Sequence, residues 1–253
     1  MEDGALTTTL SIENYLEFKF MLRIFLFRWF KSVRFIFMLT HRDVTVPNAL
    51  ELFAEVRGTG LRCIGFKDVG VSVEVMKRLV SEAHRSSMET FLEVVTSGGN
   101  GCVKSTETAL ELGVDYLIGG TYVDETLRTI RGSGVKYFPY IGVVEGHPCL
   151  LKGSVEEVAA DARRVADMGV DGVNLLAYRY IGDPERLISR VKEATNLPII
   201  IAGNVDDEKK IMRVKEFNVW GVTIGGAIIE RKILPGGSVK DQVTHVLRLI
   251  DER

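Results

Sequence analysis

The sequence predicts a single domain closed into a barrel of eight parallel strands, each followed by a helix, and three observations lead there. Short apolar runs alternate eight times with amphipathic segments of helical period between residues 34 and 253, and near-continuous apolar runs are the mark of parallel strands covered on both faces. Polar residues and glycines collect just after those runs, the end at which such barrels carry their chemistry. A chain of 253 residues with 46% hydrophobic content suffices for one large core, and about 250 residues is usual for this α/β architecture, the (βα)8 barrel. A doubly wound open sheet competes, but no GxGxxG follows the first strand and eight units suit closure.

The strands are predicted from Arg34 to Thr40, Leu61 to Phe66, Thr90 to Val95, Asp115 to Ile118, Val135 to Val143, Gly172 to Ala177, Pro198 to Ala202 and Gly221 to Ile224. Helix signals fall between them. Ser154 with Glu157 makes a capping box, and Asp183 before Pro184 reads as an N-cap with proline at the first helical position. Gly113, Gly134 and Gly169 end helices just before strands, a role that Asn196 and Asn218 can fill through the left-handed conformation. The segments LGVDYLIG and MGVDGVNLL resemble one another faintly, which suggests a repeated βα unit.

Residues 1 to 33 break this rhythm and are read as a separate extension, leaving 34 to 253 to the barrel. From residue 15 to 38 the chain reads YLEFKFMLRIFLFRWFKSVRFIFM, with Lys19, Arg23, Arg28, Lys31 and Arg34 spread among the apolar residues. No apolar run reaches the roughly 18 residues of a membrane span, and no small-residue cleavage site marks a signal peptide. Three readings stay open: a cationic amphipathic helix against a membrane surface or partner, an upstream extension with the start at Met21 or Met38, or a helix plugging the barrel bottom.

Bulk charge narrows the function classes. A formal net charge of −2 gives no reason to expect nucleic acid as a partner. Cys63, Cys102 and Cys149 are odd in number and form no CxxC pair, which points to a reducing cytoplasm and not to a disulfide scaffold. Self-association is compatible with all of this.

Lys67 and Glu93 are the most telling side chains. Each lies in or directly after an apolar stretch, CIGFK and FLEVV, where a charge costs several kcal/mol unless paired. They can pair with each other, as a salt bridge that sets register or as an acid/base or nucleophilic pair. A partly buried lysine is expected to have a lowered pKa, fit to attack a carbonyl or protonate an enediolate, and a buried glutamate can take a proton from carbon. His41 in THRD is a candidate general acid or a loop histidine, and Asn174 in GVNLL a candidate substrate-orienting amide. His147 reads as loop or lid structure, Cys102 as a weak nucleophile candidate, and Asp68 as facing the layer opposite to Lys67. His41, Asp43, Glu93 and His147 could converge on a metal, but no HxH or HExxH spacing supports it. No metal and no cofactor are predicted.

The last two strands end in IIIAGN and VTIGGAII, placing Gly203, Asn204, Gly225 and Gly226 at neighbouring strand ends. Glycine lets backbone N–H groups approach an anion closely, and a helix starting at once in AIIERK adds its positive end. A phosphate grip is predicted here, with tight βα turns as the plainer reading.

PIIIAGNVDDEKKI followed by VWGVTIGGAII resembles the closing half of the ribulose-phosphate-binding barrels. That group includes histidine and tryptophan biosynthetic isomerases, sugar-phosphate epimerases and 2-keto-3-deoxy-6-phosphogluconate aldolases. The resemblance implies that Gly203, Asn204, Gly225 and Gly226 grip phosphate. IGFK at Lys67 is similar to the lysine-bearing strand of N-acetylmannosamine-6-phosphate epimerases, and FLEVV at Glu93 to the glutamate strand of the aldolases. The chain departs from the aldolase pattern on strand six, where NLLAYRY holds no lysine for a Schiff base. On strand five it has YFPYIGVV where the histidine-pathway isomerases carry an aspartate. The expected activity is a metal-independent lyase or isomerase acting on a small phosphorylated sugar or keto acid. The alternatives are a non-catalytic phosphate-binding barrel and an oxidoreductase holding a flavin phosphate in the same grip.

Overall fold

The computed structural model describes residues 33–96 and 98–251. The extension expected up to residue 33 therefore lies outside the described residues, apart from Val33. Eight strands form one parallel sheet: β1 (Arg34–Met38), β4 (Cys63–Lys67), β5 (Glu89–Val94), β6 (Tyr116–Gly119), β7 (Lys136–Phe138), β10 (Val173–Leu175), β11 (Ile199–Ile201) and β12 (Gly221–Ile224). Sheet order runs from β10 through β11, β12, β1, β4, β5 and β6 to β7. The ends meet where Tyr140 bridges Asn174 and the Asn174 N–H donates to the Pro139 carbonyl at 2.8 Å. Closure into a barrel thus falls on two residues that enter the candidate site.

Two small hairpins stand on the C-terminal ends of the strands. One pairs β2 (Thr40–His41) with β3 (Val44–Thr45), the other β8 (Val143–Glu145) with β9 (Leu150–Lys152). They revise two expected strands. The first barrel strand stops at Met38, and the chain turns at Arg42 and Asp43, both left-handed with φ 50° and 61°, as a two-residue hairpin turn requires. The fifth strand covers only Lys136–Phe138, because Pro139 cannot donate to a ladder and Gly142 takes φ 80°.

The surrounding helices are α1 (Ala49–Val56), α2 (Val73–Arg85), α3 (Gly99–Leu112), α4 (Val123–Ile130), α5 (Val155–Asp167), α6 (Pro184–Ala194), α7 (Glu208–Glu216), the short α8 (Gly226–Ile229) and α9 (Val239–Asp251). Their starts follow the sequence signals: Ser154 and Glu157 form the reciprocal capping box of α5, and the Asp183 side chain accepts from the N–H groups of Glu185 and Arg186 in α6. Gly113 closes α3 in the left-handed conformation, and Asn218 follows α7 at φ 49°. Asn196 does not close α6; the chain is already extended at Thr195.

Period-two alternation splits the core. Phe35, Phe37, Ile64, Phe66, Leu92 and Leu117 point outward to the helices, where each buried side chain contributes roughly 1.5–3 kcal/mol. Ile36, Met38, Phe91, Tyr116, Ile118, Phe138 and Ile200 point inward and fill the barrel. Among the described residues, no helix is long and apolar enough to cross a membrane.

Candidate active site

Along β5 the residues Glu89, Phe91 and Glu93 share the inward face, so Glu93 heads the strand at the barrel mouth. Parallel register sets Lys67 of β4 directly beside it, and Lys67 Nζ lies 3.3 Å from Glu93 Oε2. The expected pairing is present. Glu93 Oε1 also accepts from the Tyr140 hydroxyl at 2.8 Å and from Asn174 Nδ2 at 3.3 Å. Asn174, the expected orienting amide, is fully buried, and its Oδ1 has no hydrogen-bond partner.

A third charged residue, Asp43, completes the cluster; in the sequence its only marked role is that of a possible metal ligand. The β2–β3 turn swings Asp43 inward, and the Thr45 hydroxyl fixes the hairpin by accepting from the Lys67 N–H at 2.8 Å and donating to the Lys67 carbonyl at 2.9 Å. Asp43 Oδ1 then sits 2.8 Å from Lys67 Nζ. Arg179, at the end of a 3-10 turn (Ala177–Arg179) after the sixth barrel strand, holds both Asp43 oxygens at 2.6 and 2.8 Å. The Cys149 N–H adds a bond of 3.0 Å to Asp43 Oδ2.

These contacts reverse one expectation. Burial works against the Lys67 ammonium, but the charges of Glu93 and Asp43 outweigh it and hold its pKa above the ordinary value, not below. Burial likewise pushes the Asp43 carboxyl up, yet the hydrogen bonds and charges of Arg179 and Lys67 prevail and keep it well below the usual carboxylate range. Tyr140, buried beside Glu93, has its pKa raised well above that of free tyrosine. It stays a donor. The site therefore offers a fixed ammonium, not a free amine.

The glycine turns line the same cavity, of about 270 Å³, as Lys67, Glu93, Asp43 and Arg179. Gly203 and Asn204 are left-handed at φ 78° and 51°, and a Cβ on Gly203 would lie 2.7 Å from Arg179 Cγ. At Gly225 a Cβ would lie 2.8 Å from Thr40 Oγ1 and 2.9 Å from the Met38 carbonyl, so close strand packing alone requires glycine there. Gly226 differs. Its nearest neighbour would be His41 Cδ2 at 3.8 Å, and its N–H belongs to the first turn of α8, which lacks intrahelical partners. All four expected phosphate residues line the one cavity.

The other candidates are placed as follows. His41 lines the cavity rim with Nε2 2.7 Å from Glu230 Oε1. Asp68 faces the helix layer, accepting from Ser105 Oγ at 2.7 Å and the Val95 N–H at 3.0 Å. Cys102 is buried within α3, where desolvation pushes its thiol up, away from nucleophilic use. His147 lies in the β8–β9 hairpin, before a cis peptide to Pro148. Among the described residues no three His, Cys, Asp or Glu side chains are grouped to hold a metal ion. Arg179 and Tyr140 carry no motif in the sequence: Arg179 follows the sixth barrel strand, and Tyr140, inside the expected fifth strand, lies just past its observed end at Phe138.

No family model matches the chain. It is 27% identical over 161 residues to the 1-(5-phosphoribosyl)-5-((5-phosphoribosylamino)methylideneamino)imidazole-4-carboxamide isomerase of Methanopyrus kandleri, covering 58% of this chain and 66% of that protein. The match thus spans just under two thirds of the relative's length. Among solved structures, the chain is similar to orotidine 5'-monophosphate decarboxylase from Methanocaldococcus jannaschii, with TM-score 0.64, 16% identity and coverage of 87% of this chain and 100% of that one. It is also similar to the N-acetylmannosamine-6-phosphate 2-epimerase from Clostridium perfringens, with TM-score 0.59, 12% identity and coverage of 86% and 93%. The isomerase relative and the epimerase structure are of kinds found in the group that the closing half of the sequence resembles, and the solved structures share the barrel fold observed here.

Proposed function

We propose that this barrel is a metal-independent lyase or isomerase acting on a small phosphorylated sugar or keto acid. The single observation that carries this reading is the shared cavity: the Lys67–Glu93 pair and the glycine turns of the last two strands line one space of about 270 Å³. A phosphate seated on the N–H groups of Asn204, Gly225 and Gly226 would hold a short carbon chain against the pair. Glu93 takes a proton from the carbon beside a carbonyl, the C–H electron pair moves into the carbon–carbon bond, and negative charge gathers on the carbonyl oxygen. Lys67 meets that oxygen. Its ammonium has three donors, two of them directed at Asp43 and Glu93, and the third is available to the enediolate. A lysine kept charged by two carboxylates favours the enediolate over the Schiff base, which needs a free amine. A relative that isomerises a phosphoribosyl compound supports the substrate class.

Thermal-shift and calorimetric titration with phosphorylated metabolites and their dephosphorylated forms tests this reading. Gly226→Ala sharpens it, because the added methyl meets no protein atom closer than 3.8 Å and so leaves the fold alone. Phosphorylated ligands should bind at least about tenfold more weakly to the variant, with the dephosphorylated forms unaffected. Equal binding of both forms by the parent protein would exclude the grip.

A further inference from the structure

The charges that line the cavity pair off with one exception. Lys67 is held by Asp43 and Glu93, Arg179 by Asp43, and Lys232 by Glu230, while Asp206 takes Lys210 from outside the cavity. Arg42 lines the same space and is exposed, and its guanidinium has no hydrogen-bond or ion-pair partner among the described residues. Its position is specific. Strand β2 runs along the turn that follows the last barrel strand: Thr40 Oγ1 lies 2.8 Å from where a Cβ on Gly225 would be, and His41 Cδ2 lies 3.8 Å from where one on Gly226 would be. Arg42 comes next, at the hairpin tip, and the other tip residue, Asp43, is tied to Lys67 and Arg179. The arginine thus stands on a fixed base. Both tip residues are left-handed, a conformation that asparagine or glycine adopts with less strain than arginine, so turn chemistry gives no reason for an arginine there.

Resting on the phosphate reading above, we propose that Arg42 is a substrate-binding residue that closes over the phosphate seated at the glycine turns. The N–H groups there supply only partial charges, and the neighbouring lysines and arginine are already neutralised by carboxylates. A phosphate dianion would therefore leave the cavity with net negative charge unless a further cation reaches it. Arg42 is that cation. Its planar guanidinium can give a phosphate two parallel N–H···O bonds, stronger than those from neutral donors. The left-handed tip holds the base of the side chain beside the seat, and its exposure leaves the guanidinium free to meet the ligand as it enters.

Arg42→Asn tests this, because it removes the charge while giving the turn a residue that suits it. The whole protein is titrated calorimetrically with ribulose 5-phosphate, 6-phosphogluconate and ribulose, and the unliganded proteins are melted. Both phosphates should bind the variant at least about tenfold more weakly than the parent, with ribulose unaffected and the melting temperature equal or higher. Arg42→Lys should recover part of the loss, since it keeps the charge without the fork. A loss confined to 6-phosphogluconate would put the guanidinium on the carboxylate and overturn the assignment to phosphate. Unchanged binding of both phosphates would overturn the role of Arg42 outright and leave the phosphate reading standing. A parent protein that binds neither phosphate more tightly than ribulose would overturn both.

Discussion

The two ends of this barrel are built on the same strands and obey opposite physics. On β5, Glu89 stands at the bottom and Glu93 at the top of one inward face, separated by Phe91. Glu89 pairs with Arg34 and accepts from the Tyr116 hydroxyl at 3.3 Å, and its side chain remains 40% exposed. Glu93 pairs with Lys67 and is 6% exposed. Between them the bottom is sealed by aromatic rings: Phe91 stacks on Tyr116 at 4.3 Å, Phe138 lies 5.0 Å from Trp220, and the Arg34 guanidinium covers Trp220 at 4.7 Å. The bottom puts its charges at the water and its rings inside. The top buries charge beside a cavity, an arrangement that costs stability and makes sense where the charges act on something.

The largest expected effect is at the top. Lys67→Met removes the ammonium while filling similar space. Asp43 keeps Arg179, and Glu93 keeps Tyr140 and Asn174, so the fold survives. Turnover of the substrate, once the ligand screen has supplied it, should fall by about 10²–10⁴. Glu93→Gln should act alike. Intact turnover in a destabilised Lys67→Met protein would reduce the cluster to a structural bridge.

At the bottom, Phe91→Ala should do the reverse. Phe91 is fully buried within the aromatic plug, and truncation there should lower unfolding free energy by about 3–5 kcal/mol, read from denaturant titration. Ligand affinity measured while the variant is folded should change little. A comparable loss of affinity would mean that plug and mouth are coupled and that the contrast between the ends is false.

Much of this contrast was legible in the sequence, and for a definite reason. Lys67 and Glu93 stand out because strands are apolar and periodic, so a charge inside CIGFK or FLEVV is visible without a structure, and neighbouring strands in parallel order put the two side by side. The glycines of the last two strands are visible for a similar reason. Asp43 is different. Its place in THRD is ordinary for a loop, and only the left-handed pair Arg42 and Asp43 turns its carboxylate inward. Arg179 reaches the site from a 3-10 turn, a tertiary arrangement with no periodic signature. The sign of the Lys67 pKa shift followed from that gap: with Glu93 alone considered, burial looked dominant, whereas a second carboxylate tips the balance toward the ammonium.

Asp43 gives the comparison a pH dependence. Its folded pKa is depressed, so its contribution to stability is present above the unfolded value near 3.9 and is lost as pH falls below it toward the folded value. Unfolding free energy of the parent protein should therefore decline below about pH 4 more steeply than that of Asp43→Asn, by up to about 1.4 kcal/mol per pH unit. Lys67 works in the opposite sense: with its pKa raised, its contribution is full below the unfolded value near 10.4 and fades only as pH rises through the higher folded value. Neither group titrates between about pH 5 and 9. Parallel acid limbs in the parent and Asp43→Asn proteins would contradict the placement of Asp43.

The smallest effect is expected where the same chemistry meets water. Glu89→Gln removes the carboxylate that faces Arg34, yet both side chains are more than a third exposed, so water and salt screen the pair and replace it readily. The glutamine can still accept from the Tyr116 hydroxyl, and Arg34 keeps its stacking on Trp220. Stability should fall by less than about 1 kcal/mol, with the loss shrinking further in added salt and ligand binding unaltered. The matched substitution at the other end, Glu93→Gln, leaves Lys67 facing one carboxylate instead of two in a buried site, where salt has little access. Its effect on turnover should persist at high ionic strength. Measured together across a salt series, the two variants separate position from residue type: if Glu89→Gln proves as damaging as Glu93→Gln, depth along the barrel is not what gives the upper glutamate its importance.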